Sequence, residues 1–442
     1  MSQGQSLFLN ILKEGMTMKL GSIIIIIFIG IFLFSCAPSM KDMPKLQKQT
    51  QSSNEKERLS ATEKIGEIKN ATPEVLTTLN HILKNDGSSS VRSEAAKSIG
   101  NLGFQQSHDP LSVSLKTDSN NTVRNSAVTA LYTISGANAI NNFIEASNDE
   151  NSKIRFLCVK YLGNIGGEKA ASTIREKFQS DPSPEVRAQA VKSLGKMKDK
   201  TSYELIKKSI KTDSSESVRV EAVKAIGNYP GADSMKILCE ALENSATQKA
   251  AIDAIYEHKR ADESKKAISI LMKNADEDSS FLNDSKIVHI FIDSGDNRVK
   301  PYFRQYITYE YCDRDNIRLI ATTLKDRGDT SLVPALCRDL DLTNESATII
   351  NLCTALGSFD DNRATSSLLS KLQNRSNYSN CVPTHIIHAL EAIKDPKAAN
   401  YLCQMCCNEK DKKDRQDACQ ASSAIVLGNP FAKLPKCPCW NK

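Results

Sequence analysis

The chain repeats itself about every 32 residues, and this rhythm limits its folds more than any other feature. Val91-Arg92, Val123-Arg124, Ile154-Arg155, Val186-Arg187 and Val218-Arg219 recur at steps of 32, 31, 32 and 32. Five residues before each aliphatic stands an Asp: Asp86, Asp118, Asp149, Asp181 and Asp213. Four residues after it comes a small side chain (Ala95, Ala127, Cys158, Ala190, Ala222). Eight after it comes Ile99, Leu131, Leu162, Leu194 or Ile226, usually followed by Gly. Fainter copies lie upstream at Arg58, Ala61 and Ile65 and downstream at Ala251 and Ile255. Offsets 0, 4, 5 and 8 share one face of a 3.6-residue helix. The preceding Ala170, Ala171, Ile174 and Phe178 give a second amphipathic helix. Asp181-Pro182-Ser183-Pro184 separates the two, with an acid to accept free backbone N–H groups and a proline suited to a first turn. The unit is therefore an antiparallel pair of helices. One pair cannot cover its own apolar stripe, so neighbours must stack and share a core.

The pattern D-x4-[VI]-R-x2-[AC]-x3-[IL] resembles HEAT repeats, in particular the short HEAT-like units also found in phycobilin lyases. The resemblance is strong over residues 56–260 and weak over 260–400. It implies an all-α fold, an α-solenoid of roughly ten helical hairpins. It further implies that Asp86, Asp118, Asp149, Asp181 and Asp213 form a structural ladder of ion pairs with Arg92, Arg124, Arg155, Arg187 and Arg219. A row of arginines gripping an anionic partner is the rival reading. Cys158, at the small position, is expected to be a core hydrophobe.

Past residue 260 the units degrade, as in Ile317-Arg318-x2-Ala321, Leu352-x3-Leu356-Gly357 and Val382-x3-Ile386-x3-Leu390. Asp276 to Ser280 is a candidate loop or change of curvature. The expected organisation is regular repeats over 57–260, degenerate repeats over 261–400 and a Cys-rich segment over 401–442.

The N-terminus points to export. Leu20 to Phe34 is an uncharged apolar run of 15 residues, preceded by Lys19. A membrane-spanning helix needs about 20 residues, and a basic residue before a short apolar core marks a secretory signal. Leu33-Phe34-Ser35-Cys36 resembles the bacterial lipobox, although Phe34 departs from the usual small or branched residue. The resemblance implies that 1–35 is a signal peptide, with Met18 as a plausible true start. Cys36 would be the lipidated mature N-terminus, and Ala37 after it favours the outer membrane if the envelope is diderm. Residues 36–56 are polar and read as a flexible tether.

Chemistry is hard to find. There is no H-E-x-x-H, G-x-S-x-G or Walker A loop, and none of the six His precedes a Glu, as iron-binding HEAT-like hydroxylases require. No cofactor is expected, and the chain reads as a non-enzyme. A surplus of 58 basic over 52 acidic residues is too small to argue for nucleic acid. Eight of the 13 cysteines lie beyond residue 350. Crowding of this kind in an exported chain favours disulfides among Cys381, Cys403, Cys406, Cys407, Cys419, Cys437 and Cys439, capping the last repeats. The rival is a metal module built from Cys381, His385, His388 and the Cys403–Cys406 pair.

Two surfaces could meet a partner. Lys97, Lys160, Lys192 and Lys224 share one helical offset, with Thr129 in the gap. Stacking would align them about every 10 Å, as a column attractive to an acidic protein or as a plain solvated face. Tyr302, Tyr306, Tyr309 and Tyr311 crowd a short segment, either as an interface or as a plug at an irregular join. The leading expectation is a membrane-tethered scaffold for another protein of the cell envelope. The alternatives are a thiol or metal module carried on repeats, or an accessory factor resembling bilin lyases.

Overall fold

The computed structural model describes residues 38–258, 265–310, 312–375, 378–379 and 381–428. Every regular element among them is helical. The chain divides into two compact units, one ending at Ser202 and the other beginning at Tyr203.

In the first unit the helices are α1 (Met43–Gln49), α2 (Glu55–Gly66), α3 (Pro73–Asn85), α4 (Ser89–Leu102), α5 (His108–Thr117), α6 (Asn121–Ser135), α7 (Ile140–Ala146), α8 (Ser152–Ile165), α9 (Glu168–Ser180) and α10 (Pro184–Met197). They form successive hairpins, and the second helices α2, α4, α6, α8 and α10 pack in sequence on one another. The spine they share is the predicted one. Val91, Ala95 and Ile99, like Val186, Ala190 and Leu194, are fully buried. Cys158 is buried at the same level, and burial pushes its thiol pKa far up.

One expectation fails here. The stretch 36–56 is not merely a tether: α1 folds over 43–49 and packs on α2, with Met43 and Leu46 buried. Gln47 also donates to Glu74 and Thr78. Two apolar residues three positions apart are too short a pattern to stand out in a polar sequence, yet they suffice to cap an exposed hairpin.

The Gly that follows the Ile or Leu of the repeat has a steric reason. A Cβ on Gly163 would lie 2.4 Å from Ser193 Oγ and 2.5 Å from its Cβ, on the neighbouring second helix. Gly66 meets Ser98 in the same way, and a Cβ on Gly100 would lie 3.0 Å from Ala130 Cα and Cβ. Helix propensity alone would favour Gly163→Ala by about 1 kcal/mol. Overpacking instead predicts a net loss of roughly 1–3 kcal/mol. Adding Ser193→Gly should recover most of it. A denaturant melt of the two variants that showed Gly163→Ala to be stabilising would refute the close contact.

The second unit contains α11 (Tyr203–Thr212), α12 (Glu216–Ile226), α13 (Ala232–Leu242), α14 (Ser245–His258), α15 (Lys265–Glu277), α16 (Ser285–Ser294), α17 (Lys300–Thr308), α18 (Arg314–Asp326), α19 (Val333–Leu342), α20 (Ser346–Phe359), α21 (Thr365–Gln373), α22 (Val382–Ile393), α23 (Pro396–Asn408) and α24 (Lys412–Gly428). Here too alternate helices, from α12 to α24, pack in sequence. The 275–285 stretch is a short 3-10 turn, Ser279–Asn283, inside the α15–α16 hairpin. The polar tail after Lys410 also contributes a regular helix, because Ala418, Ala421 and Ile425 of α24 bury a narrow stripe of small side chains. Residues 1–35, the lipidation candidate Cys36, Tyr311, Cys437 and Cys439 lie outside the described residues. No helix among the described residues is long and apolar enough to cross a membrane.

Candidate partner-binding surfaces

The ladder is built at the turn of each hairpin. Asp86, Asp118, Asp149, Asp181 and Asp213 each accept, through Oδ1, the backbone N–H two residues on, at 2.8–2.9 Å. The Asp thus shapes the turn just before the helix cap instead of capping the helix itself. The carboxylates of Asp86, Asp118, Asp149 and Asp181 then take the fork of the Arg from the preceding repeat. Arg92 Nε and Nη2 donate to Asp118 at 2.8 and 2.9 Å. Arg124 does the same to Asp149 and Arg155 to Asp181. Arg58 to Asp86 adds an earlier rung. The remaining nitrogen, Nη1, donates back to carbonyls of the turn its own helix follows, such as Asp86 O for Arg92 and Asp149 O for Arg155. Arg187 and Arg219 make this backward contact too, to Asp181 O and Asp213 O.

Planar bidentate pairing explains why the position is Arg and not Lys. The rungs from Arg92 to Asp181 are largely out of solvent, with Asp181 only 2% and Arg155 11% exposed along the side chain. Desolvation acts to raise the pKa of Asp86, Asp118 and Asp181. The guanidinium and the turn N–H outweigh it, so all three sit below the ordinary value.

The lysines fall on the exposed face of second helices, Lys97 on α4, Lys160 on α8 and Lys192 on α10, with Lys224 on α12 of the other unit. Lys97 is paired to Glu94 at 3.1 Å and Lys224 to Glu221 at 3.5 Å, each on its own helix. Lys160 and Lys192 form no ion pair among the described residues. Thr129, in the gap, accepts from Tyr161 Oη at 3.4 Å.

The tyrosine cluster is a correction. Tyr302 and Tyr306 are buried core residues and cannot present an interface. Tyr302 Oη donates to Asp276, and burial together with that carboxylate pushes its pKa up to about 12. Tyr306 Oη accepts from Asp313 N and Asn316 Nδ2. The two rings fill the join around the short α17, where the repeat is least regular. Tyr309, at 41% exposure, remains on the surface.

At the C-terminal end Cys406 and Cys419 are joined by a disulfide linking α23 to α24. Cys403 and Cys407 are also disulfide-bonded, while Cys381 is an exposed free thiol. The metal alternative therefore lacks the two thiolates of its Cys403–Cys406 pair. His385 Nδ1 is engaged with Cys381 O at 2.8 Å. No group of three potential ligands gathers among the described residues.

Braced hairpins stacked in sequence, with an Asp–Arg ladder along their turns, define a helical repeat protein. The chain belongs to the HEAT-repeat family, whose model matches residues 43–132, 115–195, 140–219 and 203–285. No curated protein matches it in sequence. Among solved structures, importin beta aligns with 89% of the chain at 12% identity and a TM-score of 0.55, over 65% of its own length. Kap121p aligns with 87% at 12% identity and a TM-score of 0.57, over 49% of its length. The chain thus spans about half to two-thirds of the length of these solenoids. The CpcE–CpcF phycocyanin lyase complex of Nostoc aligns with 52% at 19% identity and a TM-score of 0.30, too low to bear on function. These likenesses describe the fold.

Proposed function

We propose that this chain is a membrane-tethered, non-catalytic scaffold that binds another protein in a bacterial cell envelope. The observation that carries the reading is a stack whose exposed second-helix face bears Lys160 and Lys192 at equivalent positions without carboxylate partners among the described residues. A surface of that kind binds by shape and by many weak contacts, and offers no enclosed reaction site. Proteins of similar fold have been solved with protein partners, as in the complex of Kap95p with Nup1. The sequence Leu33-Phe34-Ser35-Cys36 supports the tether, which raises the local concentration of whatever the scaffold meets at the membrane.

The test has two arms. Cells fed radiolabelled palmitate should label the wild type and not Cys36→Ala, and the variant should leave the membrane fraction. Crosslinking in intact cells should capture a specific partner, with capture reduced by Lys160→Glu and Lys192→Glu. A chain that stays unlabelled and crosslinks to nothing would overturn the proposal.

A further inference from the structure

The ladder stops in the second unit, and the place where it stops is a basic cleft. Arg219 is held as the earlier ladder arginines are, with Nη1 on Asp213 O at 2.9 Å and Ser214 O at 3.4 Å. On Arg58, Arg92, Arg124 and Arg155 the other edge, Nε and Nη2, clasps an aspartate of the next repeat. On Arg219 that edge has no partner among the described residues.

The cause is the next turn. The Asp of the repeat lies six residues before its Arg, and six residues before Gln248 is Leu242, the last residue of α13. Gln248 stands where the repeat has Arg, and its Nε2 donates to Leu242 O at 3.2 Å, as Arg92 donates to Asp86 O. The residue in the aspartate's place is therefore Leu242, fully buried. Asn244 is turned to its own helix, accepting from Ala246 N.

Arg219 and Asn244 line a cleft of about 510 Å³ between α11 and α13. Four lysines line it as well, against only Asp233 and Glu240. Glu240 is held by Lys211 at 2.8 Å, while Lys208 and Lys236 have no ion pair among the described residues. The matching cleft between α3 and α5 is balanced, with Asp118 filling the fork of Arg92.

We propose that the α11–α13 cleft binds an acidic segment of a partner protein, one carboxylate of which completes the broken rung on Arg219. Lys208 and Lys236 take the neighbouring acids. The inference rests on the protein-binding reading and gives it a ligand chemistry. The fork geometry favours a carboxylate, because that is what four identical forks in this chain hold.

Fluorescence anisotropy of a fluorescein-labelled octaglutamate peptide with the detergent-solubilised full chain tests it, with octaglutamine as the uncharged control. Octaglutamate should bind and octaglutamine should not. Arg219→Gln should weaken binding roughly tenfold or more, as loss of a charge-assisted fork does. Arg219→Lys should recover only part, and Asn244→Asp, which places a carboxylate in the cleft, should also weaken it. Circular dichroism melts check that each variant folds. Lys56→Gln with Lys64→Gln, exposed lysines of α2 outside the cleft, should leave the affinity unchanged. Peptide binding indifferent to Arg219 and Asn244, or equally lost with Lys56 and Lys64, would overturn the site. Displacement by inorganic phosphate at matched charge would also overturn it, in favour of a small oxyanion. Cellular crosslinking that survives Arg219→Gln while the peptide no longer binds would remove this site and leave the scaffold standing.

Discussion

Arg155→Ala is expected to lower the stability of the first unit by roughly 3 kcal/mol. The variant leaves Asp181 almost fully buried with a charge and only the Ser183 N–H to satisfy it. The figure sits at the low end for a broken buried pair because the guanidinium still touches solvent. Arg155→Lys keeps the charge and loses the fork, so it should fall between. Urea melts followed by circular dichroism measure both, and a loss under about 1 kcal/mol would reduce the rung to an ordinary surface pair. The same rungs set the acid limit. Asp86, Asp118 and Asp181 have lowered pKa values in the fold because Arg and turn N–H contacts outweigh burial. Groups lowered on folding contribute stability that is complete above their unfolded value, near pH ~4, and lost as pH falls through the folded one. Acid unfolding should therefore begin below about pH 4, and in Arg155→Ala the drop should be shallower.

Phe143→Ala should cost about 3–5 kcal/mol, the largest effect of a single core truncation here. Helix α7 is only seven residues long, and Phe143 is its one buried side chain. The ring lies 5.7 Å from Tyr161 and 6.3 Å from Tyr132, which are themselves stacked at 4.1 Å. Removing it opens a cavity beneath that pair and takes away the anchor of the helix. Hydrogen exchange should rise first across 136–165. Protection unchanged there would mean that neighbouring repeats, not the aromatic cluster, hold α7 in place.

Much of the fold was legible in the sequence because stacking enforces register. Each second helix must bury the same offsets against its neighbour, so Val91, Ala95 and Ile99 reappear as Val186, Ala190 and Leu194. The Asp and Arg of the ladder recur for the same reason, since each rung joins one repeat to the next. Helix α1 was not legible, because its two buried residues form no repeat and gain meaning only from the hairpin they cover. Tyr302 and Tyr306 read equally well as surface or core. Their burial depends on the short α17 and on Asp276, Asp313 and Asn316, none of which lies within the tyrosine motif.

The sequence by itself determined the helical hairpin, its stacking face and the crowding of cysteines at one end, while the rungs were implied by the family resemblance. These are local or periodic properties, fixed by which residues must lie on one side of a helix. The register of the faint copy at Ala251 and Ile255 puts Leu242 where an aspartate should stand; only the tertiary structure decided that no other carboxylate among the described residues reaches the free edge of Arg219. Leu242 holds the aspartate's place at the unchanged six-residue distance from Gln248, and it is buried as the last residue of α13. A periodic pattern reports where a partner should stand; packing in three dimensions decides whether it is there.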